Sequence, residues 1–166
     1  MFAVTRSRLG LVAALLVAFL LGAVLPGALA EDGAPTAVRS ALARTAKVQG
    51  APGRTMVLSR VVVEPGAQLA LHHHLGTQIS RVAAGTLTYT VRKGSAELWE
   101  GDAETDPRRV RTIAAGRTAR IEAGQWLVEQ PSDIHEAANR GTVPVVIYLS
   151  TLLKSGAPPS TPVASH

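Results

Sequence analysis

The chain has 166 residues and no cysteine, which excludes disulfides and lipid attachment at a thiol. Its formal net charge of +5 argues only weakly for an anionic partner, because two of the arginines lie in a leader-like start. Arg108, Arg109 and Arg111 form the one dense basic group. Glu104 and Asp106 lie just upstream and no aromatic platform stands beside it, so it reads as a solvated loop and not a nucleic-acid surface.

Arg6 and Arg8 precede an uncharged run of about 17 residues, Leu9 to Leu25. Pro26 and Gly27 break the run, and Ala28-Leu29-Ala30 follows. A basic start, an apolar middle and a small-x-small end predict a secretory signal peptide over residues 1–30. The protein is then exported, periplasmic or extracellular, with no membrane attachment after cleavage. An uncleaved anchor is the alternative, since the run is at the lower edge of what spans a bilayer. Setting those thirty residues and their two arginines aside lowers the charge from +5 to +3 and leaves 136 of the 166 residues. That is enough for one domain with a sizeable core.

Residues 31–54 are Ala-rich and polar and read as a leader segment. Thr36 to Val48 suits a short helix or an N-terminal strand, with weak periodicity. From Thr55 the pattern changes to short runs of Val, Leu, Thr and Ile between Gly, Pro and Asp turns. Strands are predicted at Met56–Val63, Gln68–His74, Gln78–Ala83, Thr86–Arg92 and Ala96–Glu100. Further candidates are Val110–Ile113, Thr118–Glu122, Gln125–Glu129, Ile134–Asn139 and Val143–Leu152. Many short strands with turn residues between them and no long helical period predict an all-β antiparallel sandwich or barrel over residues 55–152. Residues 153–166 are mostly Ser, Pro, Gly and Ala, and predict a disordered tail. An apolar run such as Val143–Leu152 would be a liability on a bare sheet edge, which makes a homodimer plausible.

Three of the five histidines stand together at 72, 73 and 74. On a strand, alternate side chains share a face, so His72 and His74 point one way, about 7 Å apart, and His73 the other. Two such imidazoles can turn toward one metal ion, which needs further ligands from elsewhere. The bland reading is a surface tract that picks up metal incidentally. His135 opens a strand after a turn containing Pro131 and Asp133. Its bland reading is a turn histidine bonded to backbone. Arg81 is an odd number of residues from Gln78 and faces away from it on a regular strand.

These two stretches resemble the two motifs of the cupin superfamily. The first motif is Gly, five residues, His, one, His, three or four, Glu, six, Gly. Gly66, His72, His74 and Gly85 fall in place, with Gln78 where the family has Glu. In the second motif, Gly124, His135 and Asn139 keep the spacing, but Pro131 is one residue late and Ser132 replaces a Gly. The resemblance implies a single antiparallel jelly-roll β-barrel. It implies one divalent metal, held inside by His72, His74, Gln78 and His135.

Three neutral imidazoles suit Fe, Mn, Ni, Cu or Zn. Gln78 either ligates through its carbonyl oxygen, leaving the ion its full charge, or is an ordinary polar strand residue. Asn139 and Glu136 are candidates to hold the outer ring nitrogens. Glu122 and Glu129 flank the second motif with nothing in the sequence tying them to the pocket. Two functions follow. One is an oxygenase-like or isomerase-like metalloenzyme acting on a small molecule. The other is a non-catalytic cupin that binds a metal or small ligand.

Overall fold

The structure is a computed structural model that describes residues 34–131 and 133–164. The predicted signal peptide, Ser132 and His166 lie outside the described residues. Every regular element described is a strand. β1 (Ala37–Thr45) and β2 (Arg54–Val63) are followed by β3 (Gln68–His73), β4 (Gly76–Ala84) and β5 (Thr86–Lys93). Next come β6 (Ser95–Glu100), β7 (Arg108–Ala114), β8 (Thr118–Glu122) and β9 (Trp126–Glu129). β10 (Ile134–Ala138), β11 (Val145–Lys154) and β12 (Thr161–Pro162) complete the order.

The strands form two antiparallel sheets. One has seven strands in the order β1-β2-β11-β4-β9-β6-β7, the other five in the order β12-β3-β10-β5-β8. Side-chain alternation explains the arrangement. In β4, Gln78, Ser80 and Val82 are buried while Thr77, Ile79 and Arg81 face out. In β5, Leu87, Tyr89 and Val91 are buried beneath outward Thr86, Thr88 and Thr90. Inward residues of both sheets, among them Val63, Val91, Leu98, Ile121 and Val145, make one apolar core. Non-local strand pairing of this kind is what period-2 patterning without helical segments produces.

The ten predicted strands are all present, with ends shifted by a few residues. Of the two readings of Thr36 to Val48, the strand is the one found: β1 is nine residues long and pairs along β2 at the edge of the large sheet. Two expectations are corrected. The expected disordered tail contains β12, which pairs Thr161 with His73 and Pro162 with His72. Proline at an edge strand forfeits no needed hydrogen bond, so a Pro-rich end can still add a short strand. Finally, β11 lies in the middle of the large sheet between β2 and β4. Both of its backbone edges are paired, and the edge-strand reason for a dimer disappears.

The motif residues shape the frame. Gly85 turns β4 into β5 with φ of 75°, and a Cβ there would come within 2.8 Å of the Pro144 carbonyl oxygen. Glycine is the residue that meets both demands. Asn139 is buried and does not reach the histidines. Its Nδ2 donates to the carbonyls of Val63 (2.9 Å) and Val143 (2.8 Å), and its Oδ1 accepts from the Gly141 amide (2.9 Å). It therefore ties the end of β2 to the loop before β11. Asn139→Ala removes all three bonds from a buried place and is expected to cost about 3 kcal/mol. Thermal unfolding would show that as a melting temperature lower by roughly 10 °C. An unchanged melting temperature would refute this role.

Candidate metal centre

β3 carries the first histidines, and its register explains how they face inward. His72 pairs with His135 and Leu69 with Ala137, so β3 has one extra residue between those pairs. This bulge lets Leu69 and His72 both point into the barrel although an odd number of residues separates them. Bulges re-aim side chains in this way. The Ala70 carbonyl within the bulge accepts a hydrogen bond from His72 Nδ1 at 2.6 Å. His74 Nδ1 donates to the Pro159 carbonyl at 2.7 Å. A carbonyl can only accept, so both rings carry their proton on Nδ1 and leave Nε2 unprotonated. Backbone carbonyls commonly hold metal-binding histidines in this manner.

β10 brings His135 against them. The ring centroids lie 4.9 Å apart for His72 and His74, 4.4 Å for His72 and His135, and 5.2 Å for His74 and His135. One nitrogen from each ring lies within 4.8 Å of the others. Nitrogens sharing an ion at about 2.0–2.1 Å stand roughly 3–4 Å apart, a difference that small ring rotations close. The three histidines can hold a metal ion. His135 Nδ1 is buried with no hydrogen-bond partner, as expected of a donor atom with a missing ligand. Burial holds all three imidazoles below the ordinary histidine pKa, so they are neutral at pH 7, the form that binds a metal. His73 is outside the cluster and pairs with β12.

Gln78 reaches the cluster in a different role from the one the motif implies. Its Nε2 donates to Glu129 Oε2 at 2.6 Å and approaches His74 Nε2 at 3.2 Å. Its Oε1 accepts from Thr151 Oγ1 at 2.9 Å. Turning the amide over would press its oxygen against a carboxylate oxygen. The nitrogen therefore faces the site, and a carbonyl bond from Gln78 to an ion is disfavoured.

The residue that sequence reasoning missed is Glu129. It sits on β9 directly opposite Gln78 in the ladder and is 2% exposed. Its Oε1 is 3.5 Å from His135 Nε2 and its Oε2 is 3.9 Å from His74 Nε2. Burial opposes its ionisation, but His135 and His74 nearby, with the Tyr89 hydroxyl directed at it and a hydrogen bond from Gln78, hold its pKa below the usual carboxylate value. Tyr89 stacks on His135 at 5.0 Å, and its buried hydroxyl is directed at Glu129 without reaching full hydrogen-bond geometry. Burial first, then Glu129, drives the phenol pKa upward, so it stays protonated. A sequence signal for Glu129 existed: it is two residues beyond the inward Leu127 on one strand and shares its face.

The outer-ring partners proposed from sequence are also corrected. Asn139 is structural, and Glu136 faces outward, where it pairs with Arg92. The carbonyls of Ala70 and Pro159 take that role. Arg81 does face away, with its guanidinium 5.5 Å from the Trp126 ring centroid. The turn before His135 is held by Asp133, whose Oδ2 accepts from the Gln130 amide at 2.7 Å.

The cluster opens into a cavity of about 240 Å³. Its walls are largely apolar, including Val61, Leu69, Leu127 and Ile147, and Arg39 of β1 and Ser160 and Pro162 near β12 also line it.

Neither a family model nor a curated protein sequence matches the chain. Solved structures do. A cupin 2 domain-containing protein from Halorhodospira halophila shares 18% identity over 77% of this chain and 71% of its own, with a TM-score of 0.50. KdgF from Halomonas sp. shares 18% identity over 72% of this chain and 81% of its own, at a TM-score of 0.47. A structure of the DMSP lyases RdDddP and RnDddQII shares 14% identity at a TM-score of 0.47, and this chain spans 44% of its length. The fold is that of the cupins, and the chain is a cupin-type jelly roll with a three-histidine cluster inside it.

Proposed function

We propose that this is an exported metal-binding cupin in which His72, His74 and His135 hold one divalent first-row ion. On this reading it acts as an oxygenase-like enzyme on a small molecule. The single observation that carries the reading is the convergence of three neutral imidazoles, from two distant parts of the chain, within 4.8 Å inside a cavity. When bound, the ion supplies a Lewis acid and, for Fe, Mn, Ni or Cu, a redox centre.

The chain's own groups do the rest. The Ala70 and Pro159 carbonyls fix the orientation of His72 and His74. Glu129 brings the negative charge that Gln78 lacks and can accept a proton from a ligand lying at the imidazoles. Gln78 holds that carboxylate in place. The apolar walls keep bulk water away from it.

A non-catalytic cupin that stores or carries a metal or small ligand is the second reading. It is favoured by the absence of a dedicated acid–base pair apart from Glu129 and Tyr89. Export rests on residues 1–30 alone. A homodimer through the outer face of the large sheet is supported by the exposed Leu58, Ile79 and Tyr148.

Elemental analysis of protein purified from its native compartment is expected to find about one first-row metal per chain. Oxygen uptake with a panel of phenols, diketones and thiols then separates the readings. Metal without uptake favours the carrier. A protein that takes up no metal overturns the metalloenzyme and the metal carrier and leaves only a carrier of a small ligand.

A further inference from the structure

Arg39 is the one cationic group lining the cavity, half-buried, and nothing in the site described so far uses it. It stands on β1 across from Val61, and both line the cavity that holds the histidines. Its Nη2 is buried and has no hydrogen-bond partner. Among the described residues it forms no ion pair; Glu129, the only carboxylate lining the cavity, is held by Gln78 and stands by the imidazoles. The guanidinium is nevertheless near enough to the cluster for its charge to disfavour protonation of His72 and His74.

A guanidinium nitrogen that has lost water without gaining an acceptor is destabilising unless something fills the gap. An edge strand has no need of an inward arginine, and the neighbouring inward residue on β1 is Ala37. The planar fork of arginine matches a carboxylate. The cavity, at about 240 Å³, is smaller than the roughly 300–1,000 Å³ that drug-sized ligands occupy. Most of the residues that line it are apolar.

We propose that Arg39 clamps the carboxylate of a small, apolar-bodied organic acid whose other end faces the three histidines. The inference rests on the reading of this cavity as the ligand site of a metal-binding cupin, and it names the class of ligand that the site takes.

The test titrates the purified protein, as isolated and after chelation, with acetate, 3-methylbutanoate and benzoate and with the corresponding amides. Binding is followed through the NMR signals of the histidine rings. The wild type is expected to bind at least one acid about tenfold or more tighter than its amide, as a charge-assisted hydrogen bond gives. Arg39→Gln should erase that preference, and Arg39→Lys should keep part of it. Zinc affinity of Arg39→Gln should not fall, because the substitution takes a positive charge away from beside the imidazoles. The proposal is overturned if no acid binds, if acids and amides bind alike, or if Arg39→Gln binds the acids as the wild type does. It is equally overturned if the variant loses zinc together with the acids, because that marks a structural role. Failure of the wild type to bind zinc strikes the metal reading alone, since the acid-against-amide comparison in the chelated protein still stands.

Discussion

Alanine at His135 is expected to weaken binding of zinc or cobalt by at least about a hundredfold, more than the 10–100-fold that loss of an outer partner costs a metal site. The barrel should stay folded. His135 is buried with an unpartnered Nδ1, so removing it deletes an unsatisfied group while it opens a small void. The two effects oppose each other, and the net change in metal-free stability should be within about 1 kcal/mol. The readout is thermal unfolding with and without metal. At a hundred times the dissociation constant, a ligand that binds only the folded state adds about 2.7 kcal/mol. In a domain of this size that raises the melting temperature by roughly 10 °C. The wild type should show the rise and His135→Ala should not. His73→Ala is the control, since His73 lies outside the cluster, and it should keep the rise. If His135→Ala keeps it and His73→Ala loses it, the tract binds metal as a surface patch and the internal site does not exist.

That internal site was partly legible because cupin-like spacing places Gly66, His72, His74 and Gly85 along the consecutive strands β3 and β4, and Gly124, His135 and Asn139 along β9 and β10. Period-2 alternation gave the strands, since each has one face in the core. What the sequence hid was register. Nothing local says that Glu129 stands opposite Gln78, because cross-strand neighbours are 51 residues apart in the chain. The bulge at Ala70 is similarly silent: simple alternation separates Leu69 from His72, and only the pairing with β10 brings both inside. β1 was obscured because an edge strand has one covered side at most, and its burial pattern is mostly exposed. The last strand was hidden by composition, for Pro and Ser signal disorder unless an open edge such as that of β3 is there to receive them. Both end segments reach the candidate site, since β1 supplies Arg39 and the approach to β12 supplies the carbonyl that holds His74.

Gln78→Glu puts at position 78 the acid that the cupin motif carries there and is expected to damage this protein. The new carboxylate would stand where the Gln78 amide now donates to Glu129 at 2.6 Å, so two buried acids would meet in place of a donor and an acceptor. Like charges that close cannot both ionise, and one pKa rises by several units. Keeping one acid protonated at pH 7 against a shift of about three units costs roughly 4 kcal/mol. The sign follows: the raised acid binds a proton that the unfolded chain releases above about pH 4, so the loss grows as pH rises from there toward 7. Glu129→Gln alone leaves the histidines without a neighbouring negative charge, and metal affinity should fall about tenfold or more, as when an outer partner is lost. The double variant Gln78→Glu with Glu129→Gln puts the acid on β4 and the amide on β9. A donor again meets an acceptor across the same rung, and the stability lost in Gln78→Glu should largely return. A double-mutant cycle on melting temperature, run at pH 5 and pH 7, measures the coupling directly. Strict additivity of the two changes at both pH values would mean that Gln78 and Glu129 do not share the carboxylate's work, and that the charge beside the histidines has not moved from one strand to its neighbour.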